Sequence, residues 1–125
     1  MILDTNALSA VADNEPEAVR FFTQAETIEL HVIVLGEYRF GIAHSRLCKE
    51  YEKWLAELID ATRVLPADEE TSSHYARIRA ELKKAGRPIS LNDLWIAALA
   101  RQHRLPLMSR DEHFDSVRNL RRIGW

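Results

Sequence analysis

The chain has 125 residues, 46% hydrophobic and 29% charged, with a formal net charge of −2 at pH 7; these values describe one ordinary globular domain able to bury a real core. Cys48 is the only cysteine, which excludes an internal disulfide and a cysteine metal cluster, and no run approaches the roughly 18 apolar residues of a membrane span. The opening residues lack the basic and apolar regions of a signal peptide, so the cytoplasm is the expected compartment.

Met1–Leu3 reads as a short strand that Asp4 interrupts. Ala7–Ala12 follows as a short helix, with Thr5 and Asn6 as capping residues. Glu15–Gln24 carries Pro16 in its first turn and Val19 and Phe22 at helical spacing. Ile28–His31 is a second strand. Val34–His44 and Leu47–Ile59 form a helix pair, the second with Leu47, Tyr51, Trp54, Leu55 and Leu58 on one face. Thr62–Leu65 is a third strand, stopped by Pro66, and Asp68–Ala85 a longer helix that ends at Gly86. Asn92–His103 is a helix, Pro106–Met108 a fourth strand and Leu120–Ile123 a candidate fifth. Alternating strands and helices require crossover connections, hence an α/β fold with three layers and a mainly parallel sheet of four or five short strands.

The small net charge hides an asymmetry. Residues 1–63 hold 6 Lys/Arg and 11 Asp/Glu, whereas residues 64–125 hold 11 and 8. The basic residues of the second half include Lys83, Lys84, Arg87, Arg101, Arg104, Arg110, Arg118, Arg121 and Arg122. This distribution is compatible with phosphate contacts and equally with a solvated basic surface.

Four acids stand in unusual places. In a parallel sheet the strands end at one edge, where ligand sites form at the switch in strand order. Asp4 directly follows the first strand, and Asp111 follows the fourth after only Ser109 and Arg110. Asp93 opens the apolar run Leu94–Ala100, and Glu37 lies in the apolar stretch "HVIVLGEYRFGIA" between Gly36 and Gly41, small neighbours that suit a close helix approach. Each has an ordinary structural explanation: Asp4 as a helix cap, Asp111 as a turn former, Asp93 as half of a capping box with Ser90, and Glu37 as a partner of Arg39 or another arginine, or as an exposed residue on a helix edge. Taken together they suggest one acidic pocket, which cations would have to neutralise. An all-oxygen site selects a hard divalent ion, Mg²⁺ or Mn²⁺, and such ions suit phosphodiester hydrolysis.

"LDTN", "GE", "NDLWIAALA" and "LMSRDEHF" resemble, in order and spacing, the PIN-domain ribonucleases, and more narrowly the VapC-type toxins of bacterial toxin–antitoxin pairs. The resemblance spans essentially the whole of residues 1–125, taken as a single PIN-like domain. It implies a catalytic set of Asp4, Glu37, Asp93 and Asp111, with Asp4 and Asp93 as principal metal ligands and Thr5, Asn6 and Ser109 supporting them; Asn92 also fits the pattern. The implied reaction is Mg²⁺- or Mn²⁺-dependent endoribonuclease hydrolysis that leaves a 3′ hydroxyl and a 5′ phosphate. The implied partners are an RNA substrate, a cognate antitoxin and a second copy in a homodimer, with no membrane. Asp115 is the second choice for the position given to Asp111. His113, like His31, His44, His74 and His103, is assigned to packing or surface, and Trp54, Trp95 and Trp125 to core or interface.

Two other enzyme classes fit poorly. A phosphatase with an aspartyl nucleophile wants a second aspartate where Asn6 stands, and a receiver domain wants an acidic pair before Asp4, where only Met-Ile-Leu precedes it. A catalytically silent PIN-like module that binds RNA or protein is the remaining alternative; the presence of all four acids weighs against it.

Overall fold

In the computed structural model, which describes residues 1–125, five short strands form one sheet: β1 (Ile2–Leu3), β2 (Glu29–His31), β3 (Arg63–Leu65), β4 (Leu107–Met108) and β5 (Arg122–Ile123). Their order is β3-β2-β1-β4-β5, and every neighbouring pair is parallel. Six helices connect them: α1 (Thr5–Ala12), α2 (Pro16–Gln24), α3 (Val32–Ile42), α4 (Cys48–Ala61), α5 (Glu69–Lys84) and α6 (Leu91–His103). A 3₁₀ turn, Glu112–Ser116, leads from β4 toward β5. The chain is α/β; the four expected strands form, and so does the candidate fifth.

Strand order follows from where the apolar residues must go. The chain runs outward from central β1 to β2 and β3, then crosses back so that β4 lies on the other side of β1. Right-handed crossovers in opposite directions put their helices on opposite faces of the sheet. Ile2, Leu3, Leu30, Leu65, Leu107 and Met108, each at most 1% exposed, form the middle of the core. The helix α6 lies against α5 and buries Leu94 and the whole run Ile96–Ala100, as expected for a helix apolar on most sides. Burying one such leucine or isoleucine side chain stabilises the fold by roughly 1.5–3 kcal/mol. No helix is long and apolar enough to cross a membrane.

Three local expectations need correction. The cap of α1 is Asp4 rather than Thr5 or Asn6: its Oδ1 accepts the Ala7 N–H at 2.8 Å. Extended geometry at Asp4 (φ −84°, ψ −179°) suits the capping position, and its side chain reaches a free amide that Thr5 and Asn6, already helical, cannot. Helix α3 begins directly at Val32, because His31, the last residue of β2, caps it through Nδ1. Leu47 stands outside the apolar face of α4; it precedes that helix and is 52% exposed, whereas Leu55 and Leu58 are buried.

Candidate active site

The carboxyl edge of the sheet at the β1/β4 junction is the switch point of this topology, since the chain departs from β1 on one side and returns beside it on the other. Asp4 leaves β1 there, and its backbone N–H still donates to the Met108 carbonyl at 3.1 Å, which pins the two strand ends together. Ser109 and Asp111 leave β4 at the same edge. Helix α3 starts where β2 ends, so Glu37 lies in its second turn above the edge, and the first turn of α6 brings Asn92 and Asp93 to it. A cavity of about 1030 Å³ opens between these elements, lined by Asp4, Glu37, Asp93 and Asp111 together.

The three residues Asp4, Thr5 and Asn6 organise the acids. Asp4 is 3% exposed; Oδ1 caps α1, and Oδ2 accepts a short hydrogen bond from the Ser109 hydroxyl. The Thr5 hydroxyl donates to Glu37 Oε2. Asn6 donates from Nδ2 to Asp111 Oδ2 at 2.9 Å, and its Oδ1 accepts the Arg110 backbone N–H at 3.0 Å. Asn92 Nδ2 donates to Glu37 Oε1 at 2.6 Å. Ser109 also accepts the Asp111 N–H at 3.0 Å. Helix geometry accounts for this economy: successive residues at a helix start project in different directions, so Asp4 presents its own carboxylate while Thr5 and Asn6 reach those of two other elements.

Asp93 is the acid for which a pure capping role had the best claim. Ser90 does cap α6, accepting the Asp93 N–H at 3.2 Å. The reciprocal half of a capping box is missing; Asp93 Oδ2 instead accepts the Ser90 hydroxyl at 2.7 Å, which leaves the carboxylate at the cavity wall. Arg39 pairs with Glu52 at 3.4 Å, so the ordinary partner expected for Glu37 is engaged elsewhere. The glycines beside Glu37 serve no close helix approach: a methyl group at Gly36 or Gly41 would meet nothing within 4 Å, and Gly36 instead lines the cavity.

Electrostatics distinguish Asp4 from a merely structural cap. Burial pushes its carboxyl up to about 7, against the lowering effect of the Ser109 and Ala7 hydrogen bonds, and the nearby charges of Asp111 and Asp93 push the same way. None of the four acids forms an ion pair with a lysine or arginine. Their partners are hydroxyls, amides and one imidazole, His113 Nε2, at 3.3 Å from Asp93 Oδ2. A buried carboxylate raised in this way, among others without a counter-cation, fits a hard divalent ion in donor chemistry. In geometry the acids line the cavity without closing on a point, for no three acidic, histidine or cysteine side chains form a finished ligand set.

His113 touches Asp93 instead of serving packing or surface alone, although its ring also lies 4.6 Å from that of Phe114. Asp115, the alternative to Asp111, makes a bidentate pair with Arg122 at 2.8 Å for both bonds, which holds its carboxyl below the usual range. Asp13, Glu15 and Arg110 also line the cavity; nothing in their local sequence distinguishes them from surface charges. His31 is fully buried, in keeping with a packing role.

Comparison with known proteins identifies the family. Residues 1–120 match the PIN domain family. The chain is 30% identical over 121 residues to Ribonuclease VapC5 of Mycobacterium tuberculosis, covering 93% of this chain and 86% of that protein. It is 34% identical over 126 residues to Toxin FitB of Neisseria gonorrhoeae, with 89% and 87% covered. Among solved structures, DNA-bound VapBC from Salmonella typhimurium superposes with a TM-score of 0.86 at 27% identity, over 99% of this chain and 96% of that one. VapBC-5 from Mycobacterium tuberculosis, a member of the VapBC family of toxin-antitoxin systems, gives 0.78 at 26% identity, over 99% and 97%. With residues 1–120 matched to the family and an acid-lined cavity at the switch point of a parallel sheet, the chain belongs to the PIN-domain family.

Proposed function

We propose that this protein is an RNA-cleaving hydrolase, a metal-dependent endoribonuclease that acts as the toxin of a toxin–antitoxin pair. The observation that carries this reading is the convergence of four carboxylates from four separate elements on one cavity, each held by neutral donors and none by a lysine or arginine. The relatives support the rest: one is named a ribonuclease, another a toxin, and a third comes from a toxin-antitoxin system.

Asp4 and Asp93 would hold Mg²⁺ or Mn²⁺, with Glu37 and Asp111 completing the acidic wall. A divalent ion bound there makes water a better nucleophile and stabilises charge developing on the phosphodiester. The chain's own contribution is orientation. Ser109 and the Ala7 amide fix both oxygens of Asp4, Thr5 and Asn92 fix Glu37, and Asn6 fixes Asp111. Such supporting contacts commonly contribute 10–100-fold to metal affinity or activity. The antitoxin would cover this cavity, and the toxin would work as a homodimer.

Purified protein should cleave single-stranded or loop RNA in the presence of Mg²⁺ or Mn²⁺, and EDTA should stop it. Asp4→Asn and Asp93→Asn should each reduce cleavage by at least about 100-fold, the scale on which removing a group central to a catalytic site acts. Undiminished cleavage by the double variant Asp4→Asn/Asp93→Asn would show that this cavity is not where RNA is cut.

A further inference from the structure

The cavity lining holds six acids, namely Asp4, Asp13, Glu15, Glu37, Asp93 and Asp111, and a single cation, Arg110. Its backbone is fixed among the acids by the bond to Asn6 Oδ1. Its guanidinium, 47% exposed, engages none of the four inner carboxylates. Instead Nη2 donates to Glu15, and the guanidinium carbon lies 4.7 Å from the centre of the Trp125 ring. Glu15 stands at the N-cap of α2 yet makes no side-chain capping bond, so its carboxylate is committed to Arg110 alone. Arg101 and Arg122 differ from Arg110: each is tied by two bonds, to Glu81 and Asp115 respectively, and lies largely covered; Arg20 and Arg39, exposed and singly paired, stand outside the cavity.

An exposed ion pair of this kind contributes little and exchanges readily. The guanidinium's place over the Trp125 ring helps hold the planar fork at the cavity lining, and such a fork matches the geometry of a phosphate diester. Apart from the divalent ions that the acids would hold, Arg110 is the one positive group the cavity lining offers to an RNA backbone. Resting on the ribonuclease reading, we propose that Arg110 binds a backbone phosphate beside the scissile one, and that Glu15 and Trp125 hold its guanidinium in place until the phosphate displaces Glu15. Arg110 is thereby a substrate-binding residue, and Glu15 a positioning residue that competes with the substrate.

The test uses the full chain and a 5′-fluorescein single-stranded RNA of mixed sequence. Cleavage is followed with Mn²⁺, and binding by fluorescence anisotropy in an Asp4→Asn background over a range of salt. Arg110→Ala should raise KM and Kd about tenfold, as expected for one lost charge-assisted contact, while kcat changes less than about threefold. It should also flatten the slope of log Kd against log salt by about 0.7. Arg110→Lys should recover part of the loss, since it restores charge without the fork. Glu15→Gln should lower Kd about threefold with Arg110 present and leave it unchanged in the Arg110→Ala background, as a competitor for one shared partner must.

Unchanged Kd, KM and salt slope in Arg110→Ala would overturn the proposal. So would equal tightening by Glu15→Gln with and without Arg110, which would mean general repulsion, or weakening accompanied by a lower Tm, which would mean a structural brace. Failure of the wild-type chain to cleave RNA would sink the ribonuclease reading instead, and the anisotropy measurements would still decide the role of Arg110.

Discussion

Asp4 gives one oxygen to the cap of α1 and the other to Ser109, and burial raises its pKa to about 7. Between pH 4 and 7 the folded chain therefore keeps a proton there that the unfolded chain has released. The stabilising effect of that proton is present at low pH and lost as pH rises toward 7. Asn caps a helix as well as Asp, so Asp4→Asn should raise the stability of the metal-free protein at pH 7, by at most about 4 kcal/mol. His31 has the opposite sign. Burial lowers its pKa to about 4, so stability present above pH 6.5 is lost as pH falls toward 4. The two groups oppose one another across one pH window. Urea midpoints of the wild type should vary little from pH 4.5 to 6.5, whereas those of Asp4→Asn should fall as pH is lowered. A parallel profile for the two proteins would remove burial of Asp4 as a cost of the site.

At the level of elements, the start of α6 joins stability to chemistry, and the start of α5 does not. Ser90 caps α6 and also donates to Asp93 at 2.7 Å. Asp68 caps α5 in a complete capping box with Thr71, and Gln102 of α6 donates to it at 2.9 Å, away from the cavity. Ser90→Ala should destabilise the fold by about 1 kcal/mol and also lower RNA cleavage severalfold. Asp68→Ala should destabilise the fold and leave cleavage, measured well below Tm, unchanged. Equal effects on cleavage would mean that Ser90 acts only through helix stability. The helix α6 was legible from its length of apolar sequence, and the division of labour within its first turn was not. A serine three residues before an aspartate satisfies the capping pattern whichever way the carboxylate turns.

For the molecule as a whole, the site is a meeting of chain segments up to 107 residues apart that only the strand order joins. Because its acids repel one another when ionised, cation binding should be linked to folding. Mn²⁺ at a hundredfold excess over its Kd should stabilise the wild type by about 2.7 kcal/mol, measured by urea titration, and EDTA should reverse the gain. The double variant Asp4→Asn/Asp93→Asn should show none of it; an equal gain there would place the ion elsewhere.

Periodicity and composition alone determined the α/β class, four of the strands with a candidate fifth, and the buried character of α6, because these depend on local patterns of two and of three to four residues; they also marked four acids as out of place, and the family resemblance assigned those acids to one site. Tertiary structure alone decided that Thr5 and Asn6 reach other acids, that Asp115 is bound by Arg122, that His113 pairs with Asp93, and that Glu15 and Arg110 line the cavity. Those facts depend on which side chains meet across the β1/β4 junction. A charged side chain carries the same local signal whether it meets water, a partner or a neighbouring acid, so no reading of adjacent residues distinguishes the three.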